Sequence, residues 1–256
     1  MSAITSEASH ASTNRAIAAR VEPLLDRPLR ILDLGCGSGA FCRQLAGLYR
    51  ARGWDPAEHL LGIDIVETKF DGAGVPFRRV DLNHTLPFED GSFDVVVSIE
   101  VLEHVHAPYV LMEELKRILR PGGTLVFSVP NVANVLSRFG FLADGHYLLY
   151  PTPSIDPANA GRLCGHIQPL PVQYWHYGLR RVGFRDIVIG VDRRKRGALG
   201  LAVPLWPLFA LAGRLRRTKT VEYDADLAIE VADVLPAVNS LDLLAGRCLV
   251  FTARRP

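Results

Sequence analysis

An apolar segment, LRILDL (29–34), runs without a break into GCGSG (35–39), and a helical pattern begins straight after it. Three glycines in five positions cost folding entropy, so they mark a place where the backbone turns sharply or comes close to a ligand. A strand, a glycine turn and a helix N-terminus together present backbone N–H groups and the positive end of the helix to an anionic or polar group. Such a junction belongs to open α/β sheets, whose ligands sit at the carboxyl ends of strands.

The remainder of the chain repeats the alternation. Strands are expected at 29–34, 59–65, 76–82, 92–99, 123–130, 184–191 and 247–253, and helices near 13–25, 39–52, 107–119 and 171–182. SFDVVVSI (92–99) is apolar without alternation at its centre, Val95 to Val97, as a strand covered on both faces should be. Arg120-Pro121-Gly122-Gly123 reads as a turn that ends one helix and starts the next strand. Strands alternating with helices imply a mostly parallel sheet. At 256 residues and 48% hydrophobic, the chain can bury one sizeable core. Two segments interrupt the pattern: 131–170, expected to form a lid past a strand's carboxyl end, and 192–245.

Gly35-x-Gly37-x-x-Ala40 also satisfies the dinucleotide fingerprint, so the carboxylates behind the loop decide its ligand. Asp64 ends the second strand, where an acid can accept both hydroxyls of a ribose. Asp81 ends the third, where it can accept from an adenine amine. PFEDGSFDVVVSIEVLEHV (87–105) and LRPGGTLVFSVPN (119–131) follow. This set, from about Arg30 to Val191, resembles the class I S-adenosylmethionine-dependent methyltransferases. It resembles in particular the subgroup that contains the ubiquinone-pathway O-methyltransferases and many methyltransferases of glycan and lipid pathways.

The resemblance implies a single Rossmann-like domain: a seven-stranded, mostly parallel sheet with its last strand antiparallel and helices on both faces. It implies S-adenosylmethionine as methyl donor, held by Asp33, Gly35, Cys36, Gly37, Gly39, Asp64, Ile65, Asp81, Leu82 and Ser98. Asp33 either bonds the loop or holds the cofactor's amino group through water. Between Asp64 and Pro76 the chain is too short and glycine-broken for a full crossover helix, which blurs any contact from Val66 or Glu67. The acceptor is expected to be a hydroxyl of a sugar, glycolipid or polyprenyl-type phenol, with a soluble small molecule or a non-catalytic cofactor-binding role as alternatives. His104, just past the fourth strand, is the leading base; His146, Tyr147 and His166 in the lid are candidate acceptor contacts. Glu100, Glu103 and His104, at i, i+3 and i+4, would share one helical face and suit a divalent ion. Some ubiquinone-pathway and small-RNA 2′-O-methyltransferases hold Mg²⁺ with such a cluster, while many relatives carry the same letters without metal, and no metal is expected here.

The stretch 193–219, RRKRGALGLAVPLWPLFALAGRLRRTK, is uncharged from Gly197 to Gly213 and basic on both sides. A spanning helix needs about 20 apolar residues. This run is shorter, and Pro204 and Pro207 are expected to break it. It can lie in a bilayer interface, pack on the protein's own sheet, or meet a partner chain. A net charge of +2 lacks the basic excess of a dedicated nucleic-acid binder. Cys36, Cys42, Cys164 and Cys248 form no CxxC pair or zinc spacing, which fits reduced cytosolic thiols. The N-terminal segment has no secretory h-region. The expected location is cytoplasmic, with peripheral contact at the inner face of a membrane through 193–219 as one of those alternatives.

Overall fold

The computed structural model describes residues 6–65, 70–156, 162–223, 232 and 234–256. β1 (Ile31–Leu34), β2 (Leu60–Asp64), β3 (Phe77–Arg79), β4 (Phe93–Ile99), β5 (Leu119–Pro130), β6 (Arg185–Val191) and β7 (Cys248–Arg254) form one sheet. Their order is β3-β2-β1-β4-β5-β7-β6. Neighbours from β3 through β5 are parallel. β7 runs the other way, because Gly122 N–H donates to the Arg255 carbonyl and Arg255 N–H to the Gly123 carbonyl, joining the start of β5 to the end of β7. The sheet is thus Rossmann-like, as expected, and its strand order reverses between β1 and β4. At such a switch point the connections leave in opposite directions and open a crevice beyond the strand ends.

Burial explains the strands. All four residues of β1 are buried, as are Val95 to Ser98 in the middle of β4. Covered on both faces, these strands read as apolar runs rather than alternations. The helices are α1 (Ser6–Val21), α2 (Ala40–Arg50), α3 (Pro56–His59), α4 (Pro108–Ile118), α5 (Val135–Asp144), α6 (Val172–Val182), α7 (Arg196–Tyr223), α8 (Leu235–Val238) and α9 (Leu241–Ala245). α2 buries Phe41, Cys42, Leu45, Ala46 and Tyr49, and α4 buries Leu111, Met112, Leu115 and Ile118. Both sets recur at the helical period.

Three local expectations change. Pro121-Gly122-Gly123 lies inside β5, since the ladder to β4 shifts register between Phe93 and Val95, and Gly122 takes a φ of +75°. An irregularity of this kind absorbs the extra residues without ending the strand. α1 begins at Ser6 rather than near Thr13. Pro204 and Pro207 do not break α7, which runs through both. Each proline removes the bond to the carbonyl four residues back, at Gly200 and Val203. Both of those residues are exposed, so water can satisfy the released carbonyls.

The chain forms two compact units, Met1–Val129 with Gly178–Val188 and Val250–Pro256, and Pro130–Tyr177 with Ile189–Leu249. In the first, Ile17 and Val21 of α1, Leu45 and Tyr49 of α2, Ile31, Val95, Val97 and Val126 share one core. Elsewhere in this unit, Phe127 and Phe251 stack with ring centroids 4.7 Å apart. In the second, Val135 of α5 meets Ala198 and Ala202 of α7 and Leu244 and Ala245 of α9. Asn131 bonds this unit internally through Nδ2–H donors to the Leu243 and Gly246 carbonyls, at 2.7 and 3.1 Å. The segments expected as inserts therefore share a unit, apart from 157–161, 224–231 and 233, which lie outside the described residues. Cys36, Cys42 and Cys248 are buried free thiols; the Cys164 side chain lies outside the described residues.

Candidate cofactor site

Past Leu34 the backbone turns through Gly35, Gly37 and Gly39, at φ of +71°, +52° and +83°. Gly35 and Cys36 N–H groups both donate to the Ile63 carbonyl, at 2.8 and 3.0 Å, which pins the loop to the end of β2. A Cβ on Gly35 would sit 2.3 Å from Val101 Cγ2, so only hydrogen fits. Gly37 differs: a Cβ there meets nothing within 4 Å. It borders a cavity of about 440 Å³ that Asn14, Asp33, Ser38, Arg43 and Ile99 also line. That volume lies in the usual range for small-molecule and cofactor sites. Gly39 precedes α2 without any side-chain cap, so the positive end of that helix faces the loop.

Asp64 ends β2, and its Oδ2 accepts the Gly37 N–H at 2.9 Å. One carboxylate thus fixes the loop's middle glycine while standing at the strand edge. Asp33 is buried in β1 behind the loop, where Cys42 Sγ donates to its Oδ2 at 3.1 Å. Burial pushes its carboxyl up to about 7, helped by the nearby Asp64 charge and opposed by the Cys42 hydrogen bond. The Cys42 thiol is raised in turn by its bond with Cys36, by burial and by Asp33, so it stays protonated and donates. Asp81 has a different environment. Its Oδ1 accepts from Asn83 N–H at 2.9 Å and from Asn83 Nδ2 at 3.0 Å. Those bonds hold it below the usual carboxylate range as an Asx turn.

The other predicted residues scatter around this centre. Cys36 lines the cavity; Ile65 is 49% exposed just past Asp64, and Leu82 follows Asp81 in its turn. Ser98 is fully buried inside β4, between Leu34 and Phe127 of the neighbouring strands, and the next residue, Ile99, is the one that borders the cavity. Val66 and Glu67 lie outside the described residues. His104 ends a short 3₁₀ turn, Leu102–His104, in which Glu103 is fully buried. The expected helical face fails there: Glu100 takes a φ of +54° before the turn begins. Among the described residues, Glu100 belongs to no group of three His, Cys, Asp or Glu side chains close enough to share an ion.

In the second unit, His146 Nε2 lies 3.2 Å from Thr152 Oγ1, and Tyr147 stacks on Phe141 with centroids 4.7 Å apart. His146, Tyr147 and Thr152 border a cavity of about 620 Å³ with Leu136, Tyr150 and Leu163. His166 is nearly buried, with Nδ1 2.7 Å from the Leu149 carbonyl. A carbonyl only accepts, so Nδ1 carries the proton and Nε2 is the basic atom of the neutral ring. Sequence reasoning missed Asn14 and Arg43. Asn14 comes from α1, which carries no motif, and only the folded position of α1 beside the loop shows it.

Residues 32–127 match the methyltransferase domain family. A ubiquinone biosynthesis O-methyltransferase of Maricaulis maris is 33% identical over 104 residues, 40% of this chain and 41% of that protein. Another, from Paraburkholderia phytofirmans, is 31% identical over 124 residues, 48% of this chain and 53% of that one. The chain thus spans about half the length of these curated relatives. A crystal structure of an S-adenosylmethionine-dependent methyltransferase from Mesorhizobium loti shares the fold, with a TM-score of 0.54 and 21% identity over 96% of this chain and 99% of that one. Residues 32–127 are a methyltransferase domain, with the fold of the S-adenosylmethionine-dependent enzymes.

The site of this methyltransferase domain fits its cofactor. The loop has no room for a side chain at Gly35 and open space at Gly37, and a buried acid stands behind it. That acid makes a pH prediction. A folded value near 7 against 3.8 unfolded favours the folded state below about pH 3.8. The advantage is lost as pH rises to about 7. A ligand ammonium group near Asp33 favours the ionised form and lowers its pKa, so binding releases a proton. Affinity for S-adenosylhomocysteine, measured by calorimetry, should therefore rise with pH and level off above about 7. Asp33→Asn should flatten the profile; an unchanged slope in that variant excludes Asp33 as its source.

Proposed function

We propose that the chain transfers the methyl group of S-adenosylmethionine to a hydroxyl of a sugar, a glycolipid or a polyprenyl-type phenol. The observation that carries this reading is the match, above 30% identity over 104 and 124 residues, to relatives named as O-methyltransferases. When bound, the cofactor supplies an electrophilic methyl on a sulfonium. The chain's own contribution is alignment and proton removal. The glycine loop and the uncapped start of α2 receive the cofactor's polar end, and Asp64 accepts from its ribose hydroxyls while keeping Gly37 in place. Fixing acceptor and methyl in line can lower the barrier by roughly 7–11 kcal/mol. The acceptor's hydroxyl proton passes to the His104 imidazole, a step worth roughly 10²–10⁴-fold. The second unit's cavity, with Tyr147, Tyr150 and His146 at its border, offers aromatic faces and polar tips suited to a ring that carries hydroxyls.

Isotopically labelled donor, incubated with soluble and lipid fractions of a cell extract, tests the reading by where the label lands. Label on an alkali-stable ether of a lipid or sugar supports it. Label on nitrogen only, or no transfer by protein that binds S-adenosylhomocysteine, overturns it. Transfer is expected to proceed at full rate in EDTA; restoration of a lost rate by Mg²⁺ would contradict this.

A further inference from the structure

α7 presents two different contexts for one kind of residue. Ala198, Ala202, Leu205 and Phe209 recur at helical spacing and pack inside the second unit around Val135, Leu244 and Ala245. Arg138 of α5 strengthens that seam, its guanidinium 4.7 Å from the Phe209 ring centroid and its Nη2 donating to Asn239 Oδ1 at 2.9 Å. The remaining surface of the helix carries Leu201, Val203, Trp206, Leu208, Leu211 and Leu215, each between 43% and 61% exposed. Within Arg196–Arg216 the most apolar 18-residue window has a mean hydropathy of 1.5, yet only 11% of that window is buried. A helix docked by one stripe normally turns polar residues outward, and a helix apolar all round belongs inside a core or against lipid. Large contiguous apolar exposure marks an interaction surface.

The charges identify what covers it. Nothing from Gly197 to Gly213 is charged, while exposed Arg196 precedes that run and exposed Arg214 and Lys219 follow it. Arg194 is already engaged by Asp242. Glu222, the only acid of α7, lies beyond Lys219. We propose that this face of α7 docks on an anionic lipid surface, with the helix lying in the plane of the interface. The leucines and Trp206 enter the acyl boundary and the basic ends meet the headgroups. By length and composition the helix could also cross a membrane. Its inner stripe is already occupied by the protein's own core, and its uncharged run falls short of the roughly 20 residues a span needs. A second copy of the chain is a poorer occupant, because basic groups at both ends bring like charges together in parallel and in antiparallel pairings alike. α5, packed on α7 in the same unit, adds exposed Phe139 and Leu142.

The test uses the full chain with vesicles of phosphatidylcholine alone and of phosphatidylcholine mixed with phosphatidylglycerol. The protein should float with the mixed vesicles and far less with phosphatidylcholine, and salt should release it. L208E/L211E should lower the bound fraction at least about tenfold on the mixed vesicles. R214E/K219E should do the same there while leaving the weak binding to phosphatidylcholine unchanged. Calorimetry with S-adenosylhomocysteine reports whether each variant is folded. If a variant does not fold, quenching of wild-type fluorescence by brominated lipid, compared with W206F, decides in its place; Trp206 should account for the quenching. Absence of flotation by protein that binds S-adenosylhomocysteine overturns the proposal. So does flotation untouched by L208E/L211E, quenching unchanged in W206F, or a dimer that L208E/L211E converts to monomer without any vesicle binding.

Discussion

Asp64→Ala is expected to weaken S-adenosylhomocysteine binding about 100-fold, as measured by calorimetry at neutral pH. The residue acts in two ways. Its Oδ2 accepts the Gly37 N–H at 2.9 Å, so it holds the centre of the loop against the end of β2. The same carboxylate stands at the strand edge where a ribose would lie, and hydrogen bonds to a charged acceptor contribute roughly 1.5–3 kcal/mol each. Losing one such bond to the ligand and part of the loop's order sums to about 3 kcal/mol, or a factor of about 100. Asp64→Asn separates the roles. Its side-chain oxygen can still accept from Gly37, so the loop persists while the charge is gone, and an intermediate loss of about tenfold is expected. Binding within threefold of wild type in Asp64→Ala would remove this residue from the cofactor site.

Comparison of sequence with structure shows what kind of information is local. β1 and β4 are mostly apolar because both faces are covered, and a run such as Val95 to Val97 records that without any knowledge of neighbours. The Gly35–Gly39 turn is legible for the same reason: a backbone that must take positive φ leaves glycine as its trace. Asp64 could be placed because a strand end has a fixed relation to the crevice. What stayed hidden depends on distant parts of the chain. Asn14 reaches the cavity only because α1 folds beside the loop. Arg43 serves the loop by donating to the Asp71 and Ser38 carbonyls, at 2.6 and 3.1 Å, a tie across a segment with no recognisable pattern. Proline chemistry misled at α7, where the released carbonyls face outward and cost little. EVLEHV misled as well: the letters have helical spacing, but Glu100 at positive φ takes the first carboxylate off the expected face.

The glycines of the loop should separate stability from binding. Gly35→Ala places a methyl group where Val101 Cγ2 would be 2.3 Å away, at a φ of +71°. The left-handed conformation costs an L-residue roughly 1–2 kcal/mol. Forcing Val101 aside adds about 1–3 kcal/mol, as overpacking does. A loss near 3 kcal/mol in a domain of this size lowers Tm by roughly 6–12 °C, measurable by calorimetric melting. Cofactor affinity falls too, because Gly35 and Cys36 share the Ile63 carbonyl and move together. Gly37→Ala meets no neighbour within 4 Å and loses only the conformational part, so its Tm should drop by no more than about 4–8 °C. Its methyl group borders the space that Asp33 and Ser38 line, where the ligand must approach the backbone closely. Affinity for S-adenosylhomocysteine should therefore fall at least about tenfold in Gly37→Ala, beyond what its change in Tm accounts for. A Gly37→Ala protein that binds like wild type would mean that the ligand stands away from this backbone, and the glycine at 37 would then serve the turn alone.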